Sequence, residues 1–277
     1  MQFTTPVAIP RLSCQIKPED TILLVGSCFT TEIGNKFIEN GFNATINPYG
    51  TMYNPVSILH SIENTDMAPD VCFISLGTNH VYRDVATGKI VDNCQKRPQD
   101  QFHEEELGID ECNESLRTAI AILRKRNHKV KVILTVSPIR YRKYGYHQSQ
   151  LSKAVLLLAT DLLVKTEDDE YIEYFPAYEI LMDELRDYRF YQMDMLHPSA
   201  QAVDYIWEKL SESCFPKETV TFIEKWRPLY AAMAHKPFKE DSPDYQAFRA
   251  TTLLRIKSLA EEYPHLSRFL DSYSQNP

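Results

Sequence analysis

Three residues far apart in the chain have the types that acyl transfer needs. Ser27 follows an aliphatic run, Thr21-Ile22-Leu23-Leu24-Val25-Gly26, and precedes a helical pattern. Asp194 and His197 stand in a D-x-x-H spacing, Asp194-Met195-Leu196-His197. A serine hydroxyl is a weak nucleophile until a base takes its proton, a third group orients that base, and donors receive the charge that forms on the carbonyl oxygen. The D-x-x-H segment presents both the base, His197, and the carboxylate that orients it, Asp194, from one loop. The expected oxyanion donors are the backbone N–H of Ser27, the backbone N–H of Gly50 and the side-chain amide of Asn79. Cys28 is the rival nucleophile, because a thiolate at a helix N-terminus needs less help; a cysteine there also serves as a small apolar filler. Each residue has a plainer reading too. Ser27 can be a helix cap, His197 a surface histidine beside Pro198, Asn79 a turn former, and Gly50 part of a tight turn.

These residues converge only if the chain is wound to bring them together. Short, partly β-branched apolar runs at 21–26, 42–46, 71–76, 130–136 and 171–175 read as buried strands. Amphipathic stretches lie between them, at about 31–40, 55–63, 110–127 and 151–164. Thr30 or Thr31 is the expected cap of the first of these helices, which stops near Asn40-Gly41. Residues 80–103 read as a polar excursion with a hairpin tip at Thr87-Gly88, residues 180–187 as a helix with charge pairs, and Pro198 as part of the first turn of a helix to Leu210. The alternation predicts a three-layer α/β/α fold with a parallel sheet of about five strands. In such sheets ligands bind beyond the carboxyl ends of the strands, which is where Ser27, Gly50, Gly77 to Asn79, and Ser137 onward fall. Arg140, Tyr141, Lys143 and His147, past the fourth strand, are the candidates for a polar substrate pocket. Residues 1–215 form the main domain and 216–277 a C-terminal helical extension packed on it, with a proline-rich break at 228–243.

Composition narrows the function. With 30 Lys and Arg against 38 Asp and Glu, the 277-residue chain carries a net charge of −8, and no basic run with interleaved aromatics points to nucleic acid. No stretch is long and apolar enough for a membrane span, and the first twenty residues lack an apolar signal core. The six cysteines are scattered without a C-x-x-C, so reduced thiols in the cytoplasm are expected. His103-Glu104-Glu105-Glu106-Leu107 has leucine where a zinc-binding helix needs its second histidine, and no glycine-rich phosphate loop occurs. Neither a metal nor a cofactor is expected.

The segment Gly26-Ser27-Cys28-Phe29-Thr30 resembles the naming motif of the GSCFA family, with threonine where that name has alanine. The resemblance continues in order through Asn47-Pro48-Tyr49-Gly50-Thr51-Met52-Tyr53-Asn54-Pro55, Leu76-Gly77-Thr78, Val81-Tyr82, Asn93-Cys94, Ser137-Pro138-Ile139-Arg140, Ser152-Lys153, Asp183 to Tyr191, and Asp194 to His197. The family in turn resembles the SGNH (GDSL-like) hydrolases, which implies a flavodoxin-like sheet. It also implies Ser27 as nucleophile, Gly50 and Asn79 as oxyanion donors, Asp194 as orienter and His197 as base. Two blocks depart from the wider pattern. The first reads G-S-C rather than G-D-S, and the third reads G-T-N-H, with His80 in place of an aspartate. The expected activity is a serine hydrolase that cleaves an acyl ester, with a small acyl group on a carbohydrate-like alcohol as the favoured substrate. An acyltransferase on the same site and a non-catalytic carbohydrate- or partner-binding protein are the alternatives.

Overall fold

The computed structural model describes residues 4–92, 94, 97–167, 169–239 and 241–275. In chain order it holds β1 (Thr21–Gly26), α1 (Cys28–Glu39), β2 (Asn43–Ile46), α2 (Pro55–Asn64), β3 (Val71–Leu76), β4 (His80–Asp84), β5 (Ile90–Val91), β6 (Phe102–Glu106), α3 (Ile109–Arg126) and β7 (Lys131–Val136). There follow α4 (Tyr146–Glu167), β8 (Ile172–Tyr174), the short α5 (Ala177–Glu179), α6 (Ala200–Cys214), α7 (Lys217–Met233), α8 (Pro243–Glu262) and α9 (Ser267–Gln275). Asn93, part of the family motif, lies outside the described residues.

The main sheet has the order β2-β1-β3-β7-β8 with every pairing parallel. β3 is buried along its whole length, with Phe73 opposite Leu24 on one side and Ile133 on the other. The period-two alternation of β1 feeds two cores. Ile22 and Leu24 join Phe29, Ile33, Phe37 and Trp207 on the α1/α6 face, while Leu23 and Val25 join Ile58, Leu116 and Leu156 on the α2/α3/α4 face. Strand order reverses between β1 and β3, which opens a crevice at their carboxyl ends. The three-layer α/β/α expectation is met.

Several local details differ from the sequence reading. The 80–103 excursion does turn at Gly88 (φ +68°), and Asp84 accepts the amides of Ala86 and Thr87 there. A third strand, β6, also pairs with β4 to give a small antiparallel sheet. Its acidic sequence, Phe102-His103-Glu104-Glu105-Glu106, hides the strand, which is held by cross-strand charge such as Arg83 on Glu105. α1 begins at Cys28, so its N-cap is Ser27 rather than Thr30 or Thr31. α6 is capped by Ser199, whose hydroxyl accepts the Ala202 amide; Pro198 precedes the cap and bridges to Tyr191. The expected 180–187 helix is α5 followed by a π-helical turn, Ile180–Leu185, that ends on left-handed Arg186 (φ +38°). α7 continues through Pro228.

The helices after residue 215 pack on the α1 side of the sheet. Phe222 and Trp226 lie against Gly41, where a Cβ would come within 2.9 Å of both rings, and Trp226 Nε1 donates to the Glu39 carbonyl at 3.1 Å. Arg268 reaches the Phe42 carbonyl and the Asn43 side chain.

The carboxyl ends of the central strands are pinned by Lys153 of α4. Its Nζ donates to the carbonyls of Gly77 (2.6 Å) and Ser137 (2.7 Å), and burial without a carboxylate partner pushes its pKa down to about 7. A neutral amine still supplies the two hydrogens these bonds need. Between pH 7 and the pKa of an exposed lysine, the unfolded chain binds a proton that the folded one does not, so this group's contribution to stability rises with pH. The unfolding free energy of the wild type, relative to Lys153→Met, is expected to increase by about 1 kcal/mol per pH unit from pH 7 to 10. Denaturant titrations that give a pH-independent difference would refute this.

Candidate active site

Three backbone hydrogen bonds fix the end of β1. Gly26 N donates to Asn47 Oδ1 at 2.9 Å, Ser27 N donates to the Ser75 carbonyl at 3.0 Å, and Met52 N donates to the Gly26 carbonyl at 2.9 Å. Gly26 is held at φ +147° with its Cα so close to β3 that a Cβ would lie 2.1 Å from the Ser75 oxygen. Only glycine fits that approach.

The geometry separates the two adjacent candidates for nucleophile. Ser27 is wholly buried, and its Oγ lies 3.1 Å from Ser75 Oγ inside the sheet end. It is not among the residues that line the cavity at the carboxyl end of the sheet. Cys28 is. Its Sγ is 3.5 Å from the Tyr53 hydroxyl, and it shares a cavity of about 420 Å³ with Tyr53, Ile139, Arg140, Tyr141, Arg142, Lys143, Leu196 and His197. The two adjacent residues leave the strand in opposite directions: Ser27, the expected nucleophile, is enclosed against Ser75, while the Cys28 side chain lines the same cavity as His197. Counted from Gly26, the third position of the block, which holds the serine in G-D-S, is Cys28 in G-S-C.

The D-x-x-H segment folds as a closed turn. Asp194 Oδ1 accepts the amides of Leu196 (2.8 Å) and His197 (3.0 Å), while Oδ2 lies 2.6 Å from His197 Nδ1. The imidazole, then the two amides, hold the Asp194 carboxyl down to a pKa of about 2. It is thus an anionic acceptor at any ordinary pH, which favours the tautomer with hydrogen on Nδ1 and leaves Nε2 as the basic nitrogen. Met195 takes a left-handed conformation (φ +60°) to close the turn. Arg140 holds the segment from β7's side. Its amide donates to the Leu196 carbonyl (3.1 Å), and its guanidinium donates to the Met195 carbonyl (3.0 Å) while stacked over Tyr146 and Tyr191.

Of the three expected oxyanion donors, the two backbone amides are engaged elsewhere, and the Asn79 side-chain amide has one of its two hydrogens engaged and does not line the cavity. Ser27 N is taken by the Ser75 carbonyl. Gly50 N donates to the Asn47 carbonyl at 2.8 Å within a turn, in which Gly50 adopts φ +94°. The buried Asn79 side chain donates to the Leu107 carbonyl at 2.8 Å and ties β3's exit to the start of α3. His80, which follows it, is buried and stacked at 3.7 Å on Tyr144, and desolvation pushes its pKa down. Of the proposed substrate-loop residues, Arg140, Tyr141 and Lys143 line the cavity. His147 is exposed on the first turn of α4 and does not. Tyr53 and Leu196 are cavity residues the sequence reading did not single out; Tyr53 sits in the motif after Asn47, where its role was hidden among turn formers.

The remaining cysteines are placed differently from Cys28. Cys14, Cys72, Cys112 and Cys214 are buried, and burial pushes each thiol's pKa up. Among the described residues, no helix is long and apolar enough to cross a membrane.

The solved structures that resemble this chain include a GDSL-like lipase from Bacteroides thetaiotaomicron (16% identity, TM-score 0.46, 73% of this chain and 90% of that one). They also include a member of the lipolytic protein G-D-S-L family from Veillonella parvula (16%, 0.44, 69% and 96%) and a family 3 carbohydrate esterase from Talaromyces cellulolyticus (13%, 0.42, 74% and 98%). No curated protein matches. The model of the GSCFA family matches residues 21–68 and 63–210, and that of the GSCFA domain protein C-terminal domain matches 226–271. The first covers well over half of the sequence, and the chain belongs to the GSCFA family.

Proposed function

We propose that this protein is an acyl hydrolase whose nucleophile is Cys28, with His197 as general base and Asp194 as the group that orients it. The observation that carries this reading is the shared cavity: a partly exposed thiol and an aspartate-bound imidazole line one space, while the neighbouring serine is sealed into the sheet. The sulfur also stands at the first residue of α1, whose early amides lack a side-chain cap and favour negative charge beside them.

The chemistry follows from these positions. Cys28 Sγ bonds to the carbonyl carbon of an ester while its proton passes to His197 Nε2, and the π electrons of the carbonyl move onto oxygen. The C–O bond to the alcohol then breaks, and His197 returns the proton to the leaving oxygen. This leaves a thioester on Cys28. Water, deprotonated by His197, attacks that thioester; the acid leaves and the thiol regains its proton. Asp194 does not accept the proton; it keeps the ring in the productive tautomer and stabilises the imidazolium. The cavity rim carries Arg140, Arg142 and Lys143 with no carboxylate among its lining residues, which suits a small ester with polar or anionic groups near the scissile bond.

Two measurements test this. Native protein treated briefly with iodoacetamide should be alkylated at Cys28 and at the partly exposed Cys94, with the four buried cysteines modified only after unfolding; peptide mapping that leaves Cys28 unmodified would contradict the exposure argument. Incubation with p-nitrophenyl acetate should place an acetyl group on Cys28, visible as a mass increment. Cys28→Ala should abolish the adduct. Ser27→Ala should keep it, at a stability cost of about 1 kcal/mol from the lost bond to Ser75. Asp194→Asn should slow turnover by about 10²- to 10⁴-fold. An adduct that survives Cys28→Ala, or is lost in a folded Ser27→Ala protein, would return the nucleophile to serine.

A further inference from the structure

An acylated thiol needs donors for the oxyanion, and the backbone near Cys28 has few left. Beyond the three expected donors described above, the amides of Gly77 and Thr78 both donate to the Tyr53 carbonyl, at 2.9 and 2.8 Å. What remains beside the sulfur is the Cys28 amide at the start of α1 and two phenol hydroxyls. The Tyr53 hydroxyl is 3.5 Å from Sγ. The Tyr141 hydroxyl is buried with no hydrogen-bond partner among the described residues. Both side chains line the cavity, and their rings meet edge to face at 6.1 Å.

We infer that Tyr53 and Tyr141 are the oxyanion donors of this site, in place of the glycine amide and asparagine side chain. The inference rests on the Cys28 reading above. A carbonyl carbon bonded to Sγ holds its oxygen two bonds from the sulfur, within reach of a hydroxyl 3.5 Å from that same sulfur. The unpartnered Tyr141 hydroxyl is the second observation. An orphaned buried donor is costly, and it is retained where an incoming acceptor completes it. Residue 77 has to be glycine to admit it, because a Cβ there would stand 2.2 Å from the Tyr141 oxygen. The Tyr53 backbone is tied down by the two amides on its carbonyl, and its ring is set against Tyr141; a donor positioned before substrate arrives is the condition for strong electrostatic stabilisation. Burial pushes the Tyr53 hydroxyl up to about 12, with the nearby Cys28 adding to the shift, and pushes Tyr141 up as well. Both therefore stay protonated and can donate.

The test separates acylation, which makes an oxyanion, from alkylation, which does not. Stopped-flow acetylation of Cys28 by p-nitrophenyl acetate should fall about a hundredfold in Tyr53→Phe, while its alkylation by iodoacetamide changes by less than about twofold. Tyr141→Phe should show the same split with a smaller fall. Acetylation of Tyr53→Phe at the wild-type rate would overturn the inference. So would an equal fall in acetylation and alkylation, which would make the phenol a partner of the thiol rather than of the oxyanion. A Tyr141→Phe protein that acetylates at the wild-type rate would remove Tyr141 from the pair. Failure of the wild type to form any acetyl adduct on Cys28 would sink the hydrolase reading, and this inference with it.

Discussion

The hydrogen bond from Ser27 N to the Ser75 carbonyl decides which of two neighbouring side chains can do chemistry. It extends the β1–β3 ladder one residue past the strand. That extension keeps Ser27 in the pleat, with its hydroxyl directed at Ser75, and delivers Cys28 as the first residue of α1 with its sulfur on the opposite side. Gly26 makes the bond possible by allowing the two strands to approach more closely than any Cβ would permit. Loosening this contact would free both side chains to rotate, and the difference in exposure between Ser27 and Cys28 would disappear. The site therefore depends on a backbone contact.

The histidine is placed by an equally local device. A D-x-x-H loop could adopt many shapes, but Asp194 accepts two amides with one oxygen and the imidazole with the other, so the carboxylate organises the turn and the ring together. Arg140 then fixes this turn to the end of β7 through two carbonyls, and its guanidinium is held flat between aromatic rings. Cys28 hangs from β1 and His197 is braced against β7, with β3 between them. Lys153, whose amine bridges the carbonyls of Gly77 and Ser137, keeps the ends of β3 and β7 at a fixed separation. A change at Lys153 would thus be felt at the Cys28–His197 distance although the lysine touches neither residue.

Fold and site were legible to different degrees for a physical reason. Strands such as Val71–Leu76, buried on both faces, write their burial directly into sequence as unbroken apolar runs, so the parallel sheet could be read without structure. β6 could not, because Phe102–Glu106 is stabilised by cross-strand charge and lies half in solvent. For the site, spacing was informative where one turn does the work, as between Asp194 and His197. It was silent on direction. Whether Ser27 or Cys28 faces outward, and whether the Asn79 amide points to the cavity or to Leu107, depends on partners from other strands and loops. Of the expected oxyanion donors, Ser27 N meets the Ser75 carbonyl of β3, the Asn79 side chain meets the Leu107 carbonyl before α3, and Gly50 N meets the Asn47 carbonyl of its own turn.

Where the polar groups are satisfied, and where they are not, follows the same line. Beneath the cavity, Ser27 meets Ser75, Thr78 meets Ser152, and Ser152 also accepts the Asn79 amide. This paired layer is rigid because each buried polar atom that lost its partner would face a desolvation penalty of roughly 1–3 kcal/mol. The Tyr141 hydroxyl has no such partner among the described residues. Buried polar atoms without a partner also occur away from the site, at Ser57, Ser61, His265 and Tyr273, so the one that bears on the site is Tyr141, whose side chain lines the cavity. The rim cations differ from it: Arg142 and Lys143 are exposed, so solvent already satisfies them, whereas a buried hydroxyl whose bond is unmade has more to gain from an incoming acceptor.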